Sequence, residues 1–399
     1  MQFLNDIEHK INDMARKLND MGQKANDMAY KLNGLERMGR KADLIARTLN
    51  GMGRKMNDNL GRLSDKARRL EPEHFYFGSS LALLFIIIFF STLNKVPELK
   101  PEPLPPPTPL RQVVPPRAEL AEKYKTEPTI SVYRHETGGV EWMKMDDYLA
   151  GVLAAEMEPD WPVEALAAQA VVARTMTLKV IEEKSGAYQY HRTDTCTAPY
   201  HVQAYAPQKI NANVREAVAL SHGKVIIYQG DLIYGLYSSW SGGQTATPRE
   251  GFVDFLTNPD ETPYLQSVPD PWDEAVPAHL KEWSVTVPLS ELRGIAGVSS
   301  GSASIAETGP SGRAVKLSIG SKTISGPQLR TWLGTSRLRS TLITGISAEG
   351  SRVRFTGRGW GHGVGLSQWG AYGQAAEGRD HLAIIRHYFR GVDIYQLWS

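Results

Sequence analysis

The chain has 399 residues, a formal net charge of +2 and a single cysteine. This length is enough for more than one domain. The net charge points to no particular charged partner, and nucleic acid is not among the partners we predict. The lone Cys196 excludes an internal disulfide framework.

The N-terminal segment, residues 1–74, carries a sustained heptad repeat. Over residues 4–70 an apolar residue recurs every three or four positions, which predicts a helix that buries its stripe against a partner helix in a left-handed supercoil. We therefore predict self-association through this segment. Ala, Met and Gly in the seam make the zipper weak and leave the oligomer number open. The alternative is an amphipathic helix on the membrane surface, because basic residues outnumber acidic ones here.

Residues 75–93 contain no charged residue and are long enough to cross a hydrocarbon core of about 30 Å as one helix. Basic residues are more frequent in the twenty or so positions before this segment than after it, so the positive-inside rule places residues 1–74 in the cytoplasm. The sequence thus predicts a single-pass cytoplasmic membrane protein whose C-terminal domain lies outside the membrane.

A proline-rich linker, residues 94–117, follows the predicted membrane helix. Its proline content favours a stiff polyproline II stalk that would hold a domain roughly 60 Å from the membrane. A disordered tether is the alternative, and it changes the arrangement little.

Residues 118–399 have the composition of a folded α+β domain. Hairpins are predicted at 225–239, with Gly230-Asp231 at the turn, and at 314–325, with Gly320-Ser321 at the turn. Helices are predicted at 146–157, 162–183 and 380–391.

The segment 355–374 is dense in glycine and reads FTGRGWGHGVGLSQWGAYGQ. Interior glycines disfavour a helix, so we predict an extended or turning strand. Alternation would place Trp360 and His362 on one side of that strand, while the glycines let another backbone or a ligand approach. Such a strand would form the floor of a polymer-binding groove; the alternative is a strand crossing in a tight barrel with a core histidine.

Glu156 is the strongest candidate for a catalytic carboxyl group. Pro159 ends the predicted helix just after it, so the side chain faces the negative end of the helix dipole in a poorly solvated position. Both effects raise a carboxyl pKa, which suits a general acid. The alternative is a surface glutamate on a frayed helix end. Glu158 and Glu164 are rival carboxylates, although Glu164 is better explained as a helix-start residue.

Gln169 and Arg174 interrupt the apolar run of the following helix. A buried arginine needs an anionic partner, and either Glu156 or a substrate group is a candidate. A direct pair with Glu156 would lower the pKa of that carboxyl, so a structural role for Arg174 stays open.

Five blocks of the sequence together resemble the stage II sporulation protein D family, which includes the amidase enhancers of the LytB type. The resemblance extends over nearly all of residues 125–399. In chain order they read LAAEMEPDWPVEALAAQAVVART, YSSWSGGQT, TPYLQSVPDPW, LRTWLGTSRLRSTL and GRGWGHGVGLSQWGAYGQAAEG.

This resemblance implies a mixed, two-lobed domain that acts on peptidoglycan. Well-known members are lytic transglycosylases that cut glycan strands lacking stem peptides and leave 1,6-anhydro-N-acetylmuramic ends. The catalytic glutamate of the family falls on Glu156 and its following arginine on Arg174. Our remaining substrate-binding predictions are Gln169, Ser241, Gln244, Trp360, His362 and Gln368. We also expect two tryptophans to stack on sugar faces, out of Trp161, Trp240, Trp360 and Trp369.

The resemblance is incomplete at the position where some family members bind zinc. Those members use a Cys-x4-Cys pair with nearby histidines, whereas this chain offers Cys196 and His201 at the same spacing. Cysteine and histidine are suitable zinc ligands, but two ligands do not close a tetrahedral site. We expect no cofactor, with zinc as the open alternative.

Three functional hypotheses follow. The first is a membrane-anchored glycan-cleaving enzyme with Glu156 as its single general acid and base. The second is a non-catalytic peptidoglycan-binding enhancer that recruits or activates a cell-wall amidase. The third makes the N-terminal helix a cytoplasmic assembly handle and the outer domain a wall anchor. A retained, poorly solvated acid favours the first.

Overall fold

The computed structural model of the protein describes residues 114–254, 258 and 260–399. Among these residues the helices are α1 (Ala118–Lys123), α2 (Met145–Glu156), α3 (Val163–Glu182), α4 (Ala187–His191), α5 (Ala212–Leu220), α6 (Pro248–Gly251), α7 (Ala278–Lys281), α8 (Leu289–Ala296), α9 (Gly326–Leu333), α10 (Gln368–Ala376) and α11 (His381–Tyr388). The strands are β1 (Thr129–Arg134), β2 (Gly139–Lys144), β3 (Thr195–Cys196), β4 (Lys224–Tyr228), β5 (Asp231–Leu232), β6 (Tyr237–Ser238), β7 (Trp283–Pro288), β8 (Ala303–Thr308), β9 (Ala314–Ile319), β10 (Lys322–Ser325), β11 (Ile343–Glu349), β12 (Arg352–Gly357), β13 (Leu366–Ser367) and β14 (Asp393–Gln396).

The predicted heptad-repeat helix 1–74, the membrane helix 75–93 and most of the linker lie outside the described residues. In the part of the chain that the structure describes, no helix has the length and apolar character needed to cross a membrane. The end of the linker is described and is attached to the domain. The Val114 N–H donates to the Asp393 carboxylate at 3.3 Å, and the Arg117 N–H donates to the Gly230 carbonyl at 3.0 Å.

Helices α2 and α3 form the centre of the larger lobe. The predicted helices 146–157 and 162–183 are confirmed, with Pro162 standing just before α3 rather than inside it. The alanine- and valine-rich face of α3 is buried against α5, α10, α11 and β4. Sheets β2-β1-β3 and β14-β4-β5 and the parallel pair β6-β13 complete this lobe.

Residues 283–357 form a smaller lobe with its own hydrophobic core. Two antiparallel sheets, β11-β12-β7 and β10-β9-β8, enclose this core together with α8 and α9. The predicted hairpin 314–325 is confirmed, with Gly320-Ser321 between β9 and β10. The domain is therefore mixed α+β, and the apolar core of the smaller lobe is separate from those of the larger lobe.

Two sequence predictions need correction. The turn of the first hairpin is Gln229-Gly230 rather than Gly230-Asp231, because both of its residues adopt positive φ, as a two-residue hairpin loop requires. The segment 355–374 is not extended throughout. Helix α10 begins at Gln368, because the glycines become sparse there and the Ser367 side chain caps the helix by accepting from the Gly370 N–H.

Candidate active site

Glu156 is the last residue of α2. The next residue, Met157, is already extended, because the sequence from there to α3 contains Pro159 and Pro162 and cannot continue the helix. The Glu156 side chain is partly exposed. One carboxyl oxygen accepts a hydrogen bond from the Ala204 N–H at 2.7 Å, so the carboxyl group is held from one side and keeps access to solvent on another.

Burial raises the pKa of Glu156 above its ordinary value. The hydrogen bond from the Ala204 N–H and the polar side chains of Tyr237 and Gln368 oppose this rise without cancelling it. The direction is the one that the sequence predicted, and its cause is poor solvation. A carboxyl group in this state retains its proton to a higher pH than a surface glutamate does.

Tyr237 and Gln368 meet at Glu156 because β6 and β13 run side by side. Leu366 is paired with Tyr237 and Ser367 with Ser238, so Gln368 enters the site one residue beyond the strand. The Tyr237 hydroxyl also donates to the Gln203 side chain at 3.1 Å. Burial and the neighbouring Glu156 raise the pKa of Tyr237 well above its ordinary value, so this phenol stays protonated at neutral pH.

Gln368, a predicted substrate-binding residue, therefore lies at the carboxyl group. Its amide nitrogen is buried and forms no regular hydrogen bond with a described residue, although the side chain is near enough to oppose the rise in the pKa of Glu156. Tyr237, Gln203 and Ala204 were not among the predicted site residues. Tyr237 is the first residue of YSSWSGGQT, one of the blocks that carry the family resemblance, so the sequence contained a signal for it. No sequence signal marks a backbone N–H such as that of Ala204.

The glycine-rich segment between β12 and β13 reaches the site as a loop. Gly359, Gly361, Gly363 and Gly365 all have positive φ, and the backbone bonds of this loop reach Trp240 and Ala246 rather than a long partner strand. At Gly365 an added Cβ would lie 2.1 Å from the Leu236 carbonyl oxygen. The glycines thus permit the close backbone approach that the sequence predicted.

Trp360 and His362 lie on this loop. Trp360 is partly exposed and exchanges two backbone hydrogen bonds with Trp240, at 3.0 and 3.2 Å. His362 stacks obliquely on Phe252, with ring centroids 4.8 Å apart. Protein packing around the ring lowers the pKa of His362 to about 3, so the imidazole is neutral at physiological pH.

The four candidate tryptophans separate into two buried and two accessible rings. Trp240 is fully buried and Trp161 is 8 % exposed. Trp360 and Trp369 are partly exposed, and the Trp369 ring lies 4.5 Å from that of Trp161. Two rings are thus accessible, which is the number that we expected to contact sugar.

Arg174 does not pair with Glu156. Its guanidinium is fully buried and donates to the Asp146 carboxylate at 2.8 Å and to the Ser221 carbonyl at 2.7 Å. Asp146 lies at the start of α2, and Glu156 at its end about 15 Å away. Of the candidate partners for Arg174, Glu156 is therefore excluded, and Arg174 links α3 to the start of α2 and to the loop before β4.

Three further predicted substrate-binding residues are buried or hydrogen-bonded to other protein groups. Gln169 and Ser241 are fully buried, so neither is accessible to a polymer in this conformation. The Ser241 hydroxyl donates to the buried Asp270 carboxylate. Gln244 is partly exposed, but its amide donates to the Ser267 hydroxyl at 2.9 Å.

Cys196 and His201 lie together, and His191 joins them. The Cys196 Sγ is 3.1 Å from His201 Nδ1, and that nitrogen is 3.3 Å from His191 Nε2. The three potential ligand atoms lie within 4.8 Å of one another. Burial and the neighbouring histidines lower the pKa of His201, which favours the neutral imidazole that metals bind.

These three side chains are of the types that zinc takes as ligands, and they supply three of the four that a tetrahedral site needs. Sequence spacing alone indicated only two of them. His191 was missed because it lies in a separate helix, α4, and the fold brings it to the pair. The loop that carries His201 continues directly to Ala204, the hydrogen-bond donor to Glu156.

A sequence profile of the SpoIID family, described as a stage II sporulation protein, matches residues 133–228. The match includes α2, α3 and the His/Cys cluster. It therefore contains Glu156, but it ends before the glycine-rich loop.

Similar curated proteins extend the match to most of the domain. An uncharacterised protein of Brachyspira hyodysenteriae is 33% identical over 261 residues, which are 64% of this chain and 67% of that protein. The stage II sporulation protein D of Bacillus subtilis is 29% identical over 297 residues, 70% of this chain and 82% of that protein. The amidase enhancer of Bacillus subtilis is 29% identical over 295 residues, 62% of this chain but 40% of that protein.

Proposed function

Since this chain belongs to the stage II sporulation protein D family, we propose that it is a peptidoglycan lytic transglycosylase that cleaves glycan strands lacking stem peptides. The observation that carries the proposal is the state of Glu156. It is a partly exposed carboxyl group with a raised pKa, held by one backbone N–H beside Tyr237 and Gln368.

In the first step, protonated Glu156 donates its proton to the glycosidic oxygen as the bond to the anomeric carbon of N-acetylmuramic acid breaks. The raised pKa keeps the proton on this carboxyl group to a higher pH than on a surface glutamate. Positive charge develops on the sugar ring, as in other glycoside cleavages. The N-acetyl group of the substrate stabilises this charge, so no second carboxylate is required.

In the second step, the Glu156 carboxylate removes the proton from the 6-hydroxyl of the same muramoyl residue. The freed oxygen attacks the anomeric carbon, and the product is a 1,6-anhydro ring. The Ala204 N–H stabilises the carboxylate between the steps. The Tyr237 hydroxyl and the Gln368 amide lie beside this carboxyl group and oppose the rise of its pKa. The partly exposed Trp360 and Trp369 rings provide stacking surfaces for sugars.

The test is to incubate the full-length chain, purified in detergent, with denuded glycan strands and to search by mass spectrometry for 1,6-anhydro ends. Loss of a general acid costs on the order of 100-fold or more in rate, so Glu156→Gln is expected to abolish detectable product. Glu158→Gln is the matched control, because Glu158 is exposed and two residues away. Product that persists in Glu156→Gln would remove Glu156 from the mechanism.

The alternative is a peptidoglycan-binding enhancer that recruits or activates an N-acetylmuramoyl-L-alanine amidase. The similarity to the amidase enhancer favours it. A wild-type chain that binds glycan, forms no anhydro ends and accelerates peptide release by an added amidase would establish this function instead.

Peptidoglycan lies outside the cytoplasmic membrane, so the proposed activity requires residues 118–399 to lie there, as the charge bias around 75–93 predicts. We also propose that His191, Cys196 and His201 bind zinc. The ion would supply a structural link between α4, β3 and the loop leading to Ala204, and it takes no part in the bond-breaking steps.

A further inference from the structure

Three arginines surround the backbone pair formed by Trp240 and Trp360. The Arg339 guanidinium lies over the Trp360 ring, 4.6 Å from its centroid. The Arg358 guanidinium lies 5.6 Å from the centroid of the Trp240 ring. Arg330 donates through Nε to the carbonyl of Arg339 at 3.3 Å. All three side chains are partly exposed.

None of these arginines has a carboxylate partner within 4.0 Å among the described residues. Arg339 donates one hydrogen bond to the His279 carbonyl. A guanidinium has five N–H donors, so this bond uses only part of the donor capacity of Arg339. Burial lowers the pKa of Arg330 to about 10, so it still carries its charge at neutral pH. Three cations that share one surface without an anion are costly, and a bound anion would relieve that cost.

A chain of contacts links this surface to the candidate active site. Trp360 is two residues from His362, and the His362 ring interacts with the backbone of Tyr237. The Tyr237 side chain in turn reaches Glu156. A polymer bound across Trp360 can therefore extend along this loop to the carboxyl group.

We propose that Arg339 and Arg358, with Arg330 behind them, form a subsite for the free lactyl carboxylate of a muramoyl residue in a strand that has lost its stem peptides. The proposal rests on the proposed function, because it assigns the substrate of the same groove. A stem peptide is attached to the lactyl group by an amide, and its removal leaves a carboxylate there. Guanidinium groups bind carboxylates through charge-assisted, often bidentate hydrogen bonds. The arginines thereby give the groove a preference for denuded glycan.

The experiment measures binding rather than cleavage, in full-length chain carrying Glu156→Gln. The two probes are a denuded glycan strand and the same strand with its lactyl carboxylates converted to carboxamides. The parent, which carries only Glu156→Gln, is expected to bind the carboxylate strand about tenfold more tightly than the carboxamide strand. This is the effect of one charge-assisted contact. In the double variant Arg339→Gln/Arg358→Gln this ratio falls to about one, while affinity for the carboxamide strand changes less than about twofold.

The control is Arg352→Gln, which removes the same charge from an exposed position on β12 and is expected to keep the tenfold ratio. Arg339→Lys keeps the charge over Trp360 but lacks the forked donors, and it is expected to lower the ratio only in part. An equal affinity of the parent for both strands would overturn the proposal. So would a double variant that weakens both strands equally, or a parent that binds polyphosphate as tightly as denuded glycan.

Failure of this proposal is distinguishable from failure of the proposed function. Anhydro product without a carboxylate preference removes the subsite and leaves the reaction. A carboxylate preference without anhydro product from the wild type leaves the subsite and removes the reaction.

Discussion

At the scale of single residues, Glu156 combines a proposed chemical role with an energetic cost. Burial raises its pKa in the folded protein above that in the unfolded chain, so the folded state binds the proton more tightly. The resulting stabilisation is complete below the unfolded pKa, about 4.3. It is lost as the pH rises through the folded pKa, because an ionised carboxylate is poorly solvated at this site.

We therefore expect Glu156→Gln to melt at a higher temperature than wild type at about pH 8, and the difference to shrink as the pH falls toward about 4. Thermal unfolding across this pH range measures the effect, and all other titrating groups are common to both chains. Glu158→Gln is the matched control, because it removes an exposed carboxyl group two residues away. A Glu156→Gln variant that is less stable than wild type by the same margin at every pH would contradict the raised pKa.

The sequence predicted Glu156 and the direction of its pKa shift, because both follow from a local pattern, an apolar helix closed by proline. It did not predict the partner of Arg174. Burial of that guanidinium was expected from the alanine-rich helix, but Asp146 was not considered, because the pairing of α3 with the start of α2 is a tertiary arrangement. The burial of Gln169 and Ser241 was not predicted for a related reason, since it depends on distant segments.

At the scale of elements, the glycine-rich loop aligns the site. It runs beside residues 236–246, and its last glycine, Gly365, lies against Leu236, next to Tyr237. The short pair β6-β13 then places Tyr237 and Gln368 at Glu156. Close approach of these backbones therefore positions two of the groups that surround the carboxyl.

Gly365→Ala is expected to destabilise the domain more than Gly378→Ala. Both glycines have positive φ, and a side chain there costs about 1–2 kcal/mol at either position. Only at Gly365 does the new Cβ meet backbone, 2.1 Å from the Leu236 oxygen, whereas nothing lies within 4 Å at Gly378. Overpacking adds roughly 1–3 kcal/mol to the loss in free energy of unfolding.

Urea denaturation of both variants measures the difference. Equal losses would show that the loop moves away from Leu236 at little cost, and the alignment argument would fail. If Gly365→Ala folds, its glycan cleavage should also fall, because Tyr237 adjoins the strained contact.

At the scale of the whole domain, the His/Cys cluster joins α4, β3 and the loop that follows β3. His191 ends α4, Cys196 ends β3, and His201 lies three residues before Ala204. A metal ion bound there would fix the loop that supports Glu156.

Zinc added to metal-depleted full-length chain is expected to raise the melting temperature by several degrees, since a ligand that binds only the folded state stabilises it. Cys196→Ser should remove most of this rise, because it deletes the thiolate ligand. His279→Gln, a histidine outside the cluster, should keep it. A rise of the same size in Cys196→Ser would show that zinc binds elsewhere.

The sequence by itself determined the α+β class, the helices on either side of Pro159 and Pro162, one hairpin with its turn, and the leading carboxyl group. These features depend on local periodicity, proline and glycine, which act over a few residues. Only the tertiary structure decided that Tyr237 and Gln368 meet Glu156, that Arg174 binds Asp146, that His191 completes a three-ligand cluster, and that three arginines share the surface beside Trp360. Those contacts join residues of different elements, and tertiary packing rather than local preference brings them together.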